Sequence, residues 1–174
     1  MEKLKRYESY PLWIVLLSNF HSFLLYGFGF AIMLRVGPVF AFLYLAYILV
    51  LEIRLLKTHC VDCYYWGMDC GFGKGRISAL FFKKGDVSRF CSKGIKPADM
   101  IPDLLVSLIP VLTGIILIIV KVDYLLLAAV LVIILLTTAG NGFIRGSLTC
   151  KYCKQRDLGC PAEKLFNKEK ANRG

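Results

Sequence analysis

Residues 9–34 read SYPLWIVLLSNFHSFLLYGFGFAIML, a run of 26 residues between Glu8 and Arg35 without a formal charge. About 20 apolar residues of helix cross the hydrocarbon core of a bilayer. This run is long enough with room for tilt, and it predicts a first membrane span at about residues 11–34. It is too long for a secretory signal peptide, and no small-residue cleavage site leads from it into a polar mature region. Outward from it, Gly37-Pro38 opens a second apolar run to about residue 56, with Pro38 suited to a first helical turn. Residues 104–120 are 17 uncharged residues that reach spanning length, about 101–120, by adding Ile101, Pro102 and Asp103. Residues 124–144 are 21 more without a charge. The composition agrees: 57% of the 174 residues are hydrophobic, against about 45–50% apolar in an ordinary soluble domain, and the mean hydropathy is +0.61. A soluble enzyme with a large core is excluded by the concentration of that excess in long runs.

Residues 35–38 and 121–123 leave space only for tight turns. The spans therefore pair as two antiparallel helix hairpins, one in residues 1–100 and one in residues 101–174. The expected fold is an all-α integral membrane protein with four transmembrane helices. Net charge is +10, and 20 of the 22 Lys and Arg residues fall in the N-terminal segment, the middle loop or the C-terminal segment. Only Arg35 and Lys121 lie on the other side. The positive-inside rule then predicts a multi-pass protein of the cell membrane with both termini and the middle loop in the cytoplasm. That topology already explains the scattered basic residues, so no nucleic-acid partner is expected.

All seven cysteines fall on the same predicted side. Cytosolic thiols stay reduced, so structural disulfides are not expected. Cys60, Cys63 and Cys70 follow the second span as C-x2-C-x6-C. Cys150, Cys153 and Cys160 follow the fourth with identical spacing, 90 residues later. Arg54 and Arg145 precede the two trios at nearly equal distance. The pattern of hairpin, basic exit and cysteine trio, stated twice, predicts an internal duplication with a pseudo-two-fold axis along the membrane normal. A C-x2-C turn points two thiolates at one point, and thiolates suit zinc or iron–sulfur clusters.

The doubled C-x2-C-x6-C resembles the binuclear zinc cluster of fungal transcription factors, over about 22 residues in two pieces. The resemblance implies six thiolates around two zinc ions, with Cys60 and Cys150 shared. It does not imply DNA binding, because the first trio encloses Val61, Asp62 and residues 64–69 rather than basic residues. Two alternatives stay open. Cys91 completes a four-thiolate site with the first trio, leaving the second to Asp157 or solvent. Otherwise the trios hold an iron–sulfur cluster, for which Cys160-Pro161 echoes ferredoxin-type motifs. His59, beside Cys60, is a candidate auxiliary ligand or hydrogen-bonding neighbour. Against all of these stands the plainer reading of unliganded buried thiols.

The remaining candidates are polar groups in apolar surroundings. Asn19 and His21, with Ser18 and Ser22, form an intramembrane patch that must find partners on other helices. Asn141 and Thr137-Thr138 are similar, and Gly27-Phe28-Gly29 is a close-packing site. Pro110 should kink the third span. Glu52 and Arg54 are expected to reach the interface or pair locally. Residues 76–90 place Ile77, Leu80 and Phe81 on one helix face beside Lys83, Lys84 and Arg89, which predicts a single interfacial helix against the anionic inner leaflet. Gly71, Gly73 and Gly75 lack the strand and the Lys-Ser/Thr of a phosphate loop. They fit a chain leaving a cysteine turn at positive φ. Nothing forms a nucleophile, base and acid constellation, so an enzyme is not favoured. The leading expectation is a scaffold or complex subunit whose cytoplasmic zinc site joins two hairpins. The alternatives are an iron–sulfur electron carrier and a small transporter acting as a homodimer.

Overall fold

A computed structural model describes residues 6–92, 97–158 and 160. The chain is helical: α1 (Leu12–Val36), α2 (Pro38–Leu55), α3 (Lys74–Phe81), α4 (Val87–Ser92), α5 (Pro97–Val120) and α6 (Tyr124–Leu135). Four helices are long and apolar enough to cross a membrane: Leu12–Val36, Pro38–Cys60, Asp99–Val120 and Tyr124–Tyr152. The second and fourth run past the expected ends at 56 and 144. α2 continues through a π-helical turn, Leu56–Cys60, and α6 through the π-helical segments Leu136–Gly140 and Phe143–Thr149 into a 3-10 turn, Cys150–Tyr152. Wider backbone bonding keeps each helix going to the first cysteine of its trio. Cys60 and Cys150 therefore sit on helix ends and not in loops beyond them.

The turns form for local reasons. Gly37 donates its N–H to the Met33 carbonyl at 3.2 Å, and Pro38 starts α2 where a missing N–H costs nothing. Asp123 caps α6, its carboxylate accepting from the N–H groups of Leu125 (2.9 Å) and Leu126 (3.3 Å). Arg35 reaches Asp123 at 3.7 Å and so ties the tips of the two hairpins together.

α1 is the central helix and packs along α2, α5 and α6, whereas α2 meets α5 over a short stretch. One apolar cluster joins Met33, Ala41, Tyr44, Ile48 and Val106; another joins Ile32, Leu126, Val130 and Ile133. Phe23, Phe42, Ile116 and Leu135 point outward instead, each more than 60% exposed. Such an apolar exterior suits lipid and not water. Gly29 is the glycine of the close approach: a Cβ there would collide with the Tyr44 hydroxyl, whereas Gly27 faces open space. Pro102 and Pro110 both lie inside α5. Pro110 cannot donate to the Val106 carbonyl four residues earlier, and the Tyr44 hydroxyl takes that acceptor at 2.7 Å.

The expected single helix over 76–90 is two. Between α3 and α4 the chain is extended at Phe82. Gly85 N–H donates to the Val61 carbonyl at 2.9 Å, and Asp86 N–H to the Asp62 carboxylate at 3.1 Å. Those tertiary bonds outweigh the helical pattern there.

Candidate thiol site

The two cysteine segments repeat one local geometry. Cys63 N–H donates to the Cys60 carbonyl at 3.3 Å, and Cys153 N–H to the Cys150 carbonyl at 3.3 Å. A second turn follows in each: Trp66 N–H to Cys63 at 3.1 Å, and Arg156 N–H to Cys153 at 3.2 Å. The first segment then folds back through its glycines. Of the three glycines expected at positive φ, Gly73 adopts it, at +69°, and Gly71 and Gly75 do not. Gly75 is required by crowding, since a Cβ there would strike the carbonyls of Tyr65 and Met68.

The segments dock on each other by a reciprocal exchange. Tyr64 N–H donates to the Gln155 side-chain oxygen at 2.8 Å, and Lys154 N–H donates to the Tyr65 hydroxyl at 2.9 Å. Tyr64 and Lys154, and likewise Tyr65 and Gln155, are each 90 residues apart, the separation of Cys60 and Cys150. Tyr65 and Gln155 are 1% and 2% exposed, so these bonds are shielded from water.

The N-terminal segment straps the junction. Tyr7 N–H bonds the Tyr152 carbonyl at 3.1 Å, and Tyr10 N–H the Asp69 carbonyl at 2.9 Å. The Tyr10 hydroxyl donates to Thr149 at 2.5 Å and the Tyr65 hydroxyl to Tyr7 at 2.6 Å. The rings of Tyr7, Tyr10, Tyr64, Tyr65 and Tyr152 pack at centroid separations of 5.2–5.5 Å.

Cys63, Cys70 and Cys153 pack against this Tyr10–Ile14–Tyr65 core. Cys60, Cys63, Cys70, Cys150, Cys153 and Cys160 are half-buried and in no disulfide. Burial pushes Cys63 up to about 12, a hydrogen bond from Tyr65 offsets part of this, and Cys153, Cys70 and Cys60 are near enough to raise it further. Burial likewise holds Cys153 at about 11, against backbone hydrogen bonds from Gln155 and Arg156, with Cys150 and Cys160 adding to the rise. The two trios thus come nearest in their electrostatics at Cys63 and Cys153. Both of these thiols are neutral at pH 7 and therefore poor nucleophiles. Among the described residues, no three His, Cys, Asp or Glu side chains converge closely enough to hold a metal ion. Cys91 lies in α4 with its side chain outside the described residues. His59 is exposed and edge-on to Phe90 at 6.4 Å. Asp157 is engaged by Arg6 at 3.0 Å.

Beside the knot, Glu52 finds its partners away from its own turn of helix. Lys74, at the start of α3, reaches it at 2.6 Å, and the Tyr26 hydroxyl donates to its other oxygen at 2.7 Å. Arg54 pairs with Asp99 of α5 at 3.8 Å. Asn19 donates to the Phe72 carbonyl at 3.2 Å and so grips the cysteine loop. Asn141 accepts from Arg145 at 2.8 Å, and that guanidinium lies over the Phe72 ring. His21 contacts the Leu136 carbonyl at 3.0 Å. Lys83, Lys84 and Arg89 are exposed, as are Leu80 and Phe81, and Lys84 sits over Trp66.

Tyr7, Tyr10, Tyr26, Lys74 and Gln155 were not legible as site residues. Only the recurrence of tyrosines near span ends hinted at some of them, and that hint reads equally well as an interfacial belt. No protein-family model matches the chain, and no curated protein or solved structure shows significant similarity to it.

Proposed function

We propose that the chain is a four-span membrane protein in which two duplicated hairpins are joined at the cytoplasmic face by a thiol knot, and that it serves as a scaffold or subunit of a membrane complex. The observation that carries this reading is the reciprocal bonding of Tyr64 to Gln155 and Lys154 to Tyr65. Exchange of equivalent contacts is what a two-fold relation between copies produces, and its 90-residue offset matches that of the cysteines. The bias of basic residues supports the orientation, and exposed Lys83, Lys84, Leu80 and Phe81 suit the anionic inner leaflet.

The knot takes up zinc as a structural staple in this reading. Cys60, Cys63, Cys70, Cys150, Cys153 and Cys160 are the ligands, and they must turn inward from their present positions. Six reduced thiols in one half-buried neighbourhood are the donor set zinc prefers. Thiolate ligation displaces the thiol protons, so uptake strengthens as pH rises. Helix hairpins have little apolar drive to associate within lipid, which gives a staple outside the lipid its purpose.

The test is metal analysis and an absorbance spectrum of anaerobically purified protein. Bound zinc without colour, lost from both trios in Cys150→Ser, supports a shared site. Loss confined to the second trio limits the reading to separate sites. A visible charge-transfer band moves the assignment to an iron–sulfur electron carrier. Protein that stays metal-free in the presence of zinc and iron ends the metal reading and leaves the tyrosine-strapped scaffold.

A further inference from the structure

Among the described residues, two buried side-chain polar atoms lack a hydrogen-bond partner: Ser18 Oγ and Thr137 Oγ1. Both flank the same contact. His21 Nε2 lies 3.0 Å from the Leu136 carbonyl, so that nitrogen carries the proton. A Cβ at Gly140 would meet the His21 ring at 2.7 Å, so the Gly140 face of its helix looks at His21. Thr137 directly follows Leu136, whose carbonyl His21 touches; Ser18 is three residues before His21 on α1 and is fully buried. The two helices are antiparallel, which places one orphan hydroxyl on each side of the imidazole. The segment opposite His21, Leu136–Gly140, is π-helical, a distortion found frequently at functional sites.

Buried hydroxyls are rarely left unpaired, and where protein partners are missing an internal water usually supplies them. His21 lies nine residues into α1, about 14 Å along the helix axis. Beyond it the interface closes on Ile32, Leu126, Val130 and Ile133, an apolar cluster with no hydroxyl or amide side chain. On the other side Ser18 is followed, one turn along α1, by Ile14 of the Tyr10–Ile14–Tyr65 core.

We infer that Ser18, His21 and Thr137 form a water-binding site within the membrane-spanning bundle, closed on one side by the apolar cluster around Ile32. Its ligand is water, held by the two hydroxyls on either side of the imidazole. This site is independent of whether the knot takes a metal.

Deuterium exchange at the imidazole C2 position tests it in the intact protein, read by mass spectrometry in detergent. The chain has two histidines, and exposed His59 is the internal reference. His21 should exchange within about tenfold of His59, and Ser18→Ala with Thr137→Val should slow His21 while leaving His59 unchanged. An unexchanged His21 after His59 has gone to completion overturns the site. Thermal unfolding gives a second, opposite-signed reading. Removing a hydroxyl that binds water lowers the midpoint, so Thr137→Val should fall by roughly 2–4 °C and Thr137→Ser should hold. A midpoint that stays or rises in Thr137→Val identifies a dry orphan hydroxyl and rejects the inference.

Discussion

Tyr65 shows what one residue contributes to the junction. Its hydroxyl accepts from Lys154 and donates to Tyr7, so it joins both hairpins to the N-terminal strap. Tyr65→Phe keeps the ring and strands two backbone groups in a buried site. The expected loss is about 1–3 kcal/mol, measurable as a lowered unfolding midpoint. An unchanged midpoint would mean that the strap is not held through this hydroxyl. Gly75→Ala should be worse than Gly27→Ala, because only the first Cβ meets carbonyl oxygens; relative yields of folded protein check the order. The role of Gly73 was legible in the glycine-rich exit from the cysteine turn, whereas the reason for Gly75, crowding and not positive φ, was not. Nor was the role of Tyr65, since nothing in Tyr64-Tyr65-Trp66 says which ring turns inward.

At the scale of elements, α3 is held against the bundle by a charge. Lys74 leaves the cysteine loop to meet Glu52, whose second oxygen is taken by Tyr26. Lys74→Met leaves that carboxylate with one partner in apolar surroundings and should cost about 1.5–3 kcal/mol. Adding Glu52→Gln should recover part of the loss, the non-additivity expected of a direct contact. Additive losses in thermal unfolding would show that the pair carries no coupling. That Lys74 is the partner of Glu52 was not legible, because proximity along the sequence does not measure proximity across a loop that turns back on its helix. α5 offers a parallel case. Pro110 predicts a freed carbonyl, but that Tyr44 of another helix takes it is decided by packing. Tyr44→Phe should therefore weaken the α2–α5 contact, read as faster amide exchange in α5.

The whole molecule couples the thiol cluster to pH. Burial raises the folded-state values of Cys63 and Cys153 to about 12 and about 11, above the roughly 8.5 of a free thiol. A group that holds its proton more tightly when folded contributes stability that is full below the unfolded value and declines as pH rises toward the folded one. Metal-free protein should be steady from pH 7 to about 8 and lose stability progressively above pH 9. Alkylation of these thiols at pH 7.5 should be slow in folded protein and fast after denaturation. Flat stability up to pH 11 in unfolding scans would contradict this account.

Four helices of spanning length, their tight turns and the matched cysteine trios were decided along the chain, because hydropathy and spacing are properties of consecutive residues. The meeting of Gln155 with Tyr64, of Lys154 with Tyr65 and of Lys74 with Glu52 was decided only in three dimensions. Burying a polar group demands a partner, and which distant residue meets that demand depends on how the helices pack. Backbone bonding chose the wider helical turns that carry Cys60 and Cys150 on helix ends, and tyrosine bonds, illegible in the cysteine spacing, join the two cysteine segments.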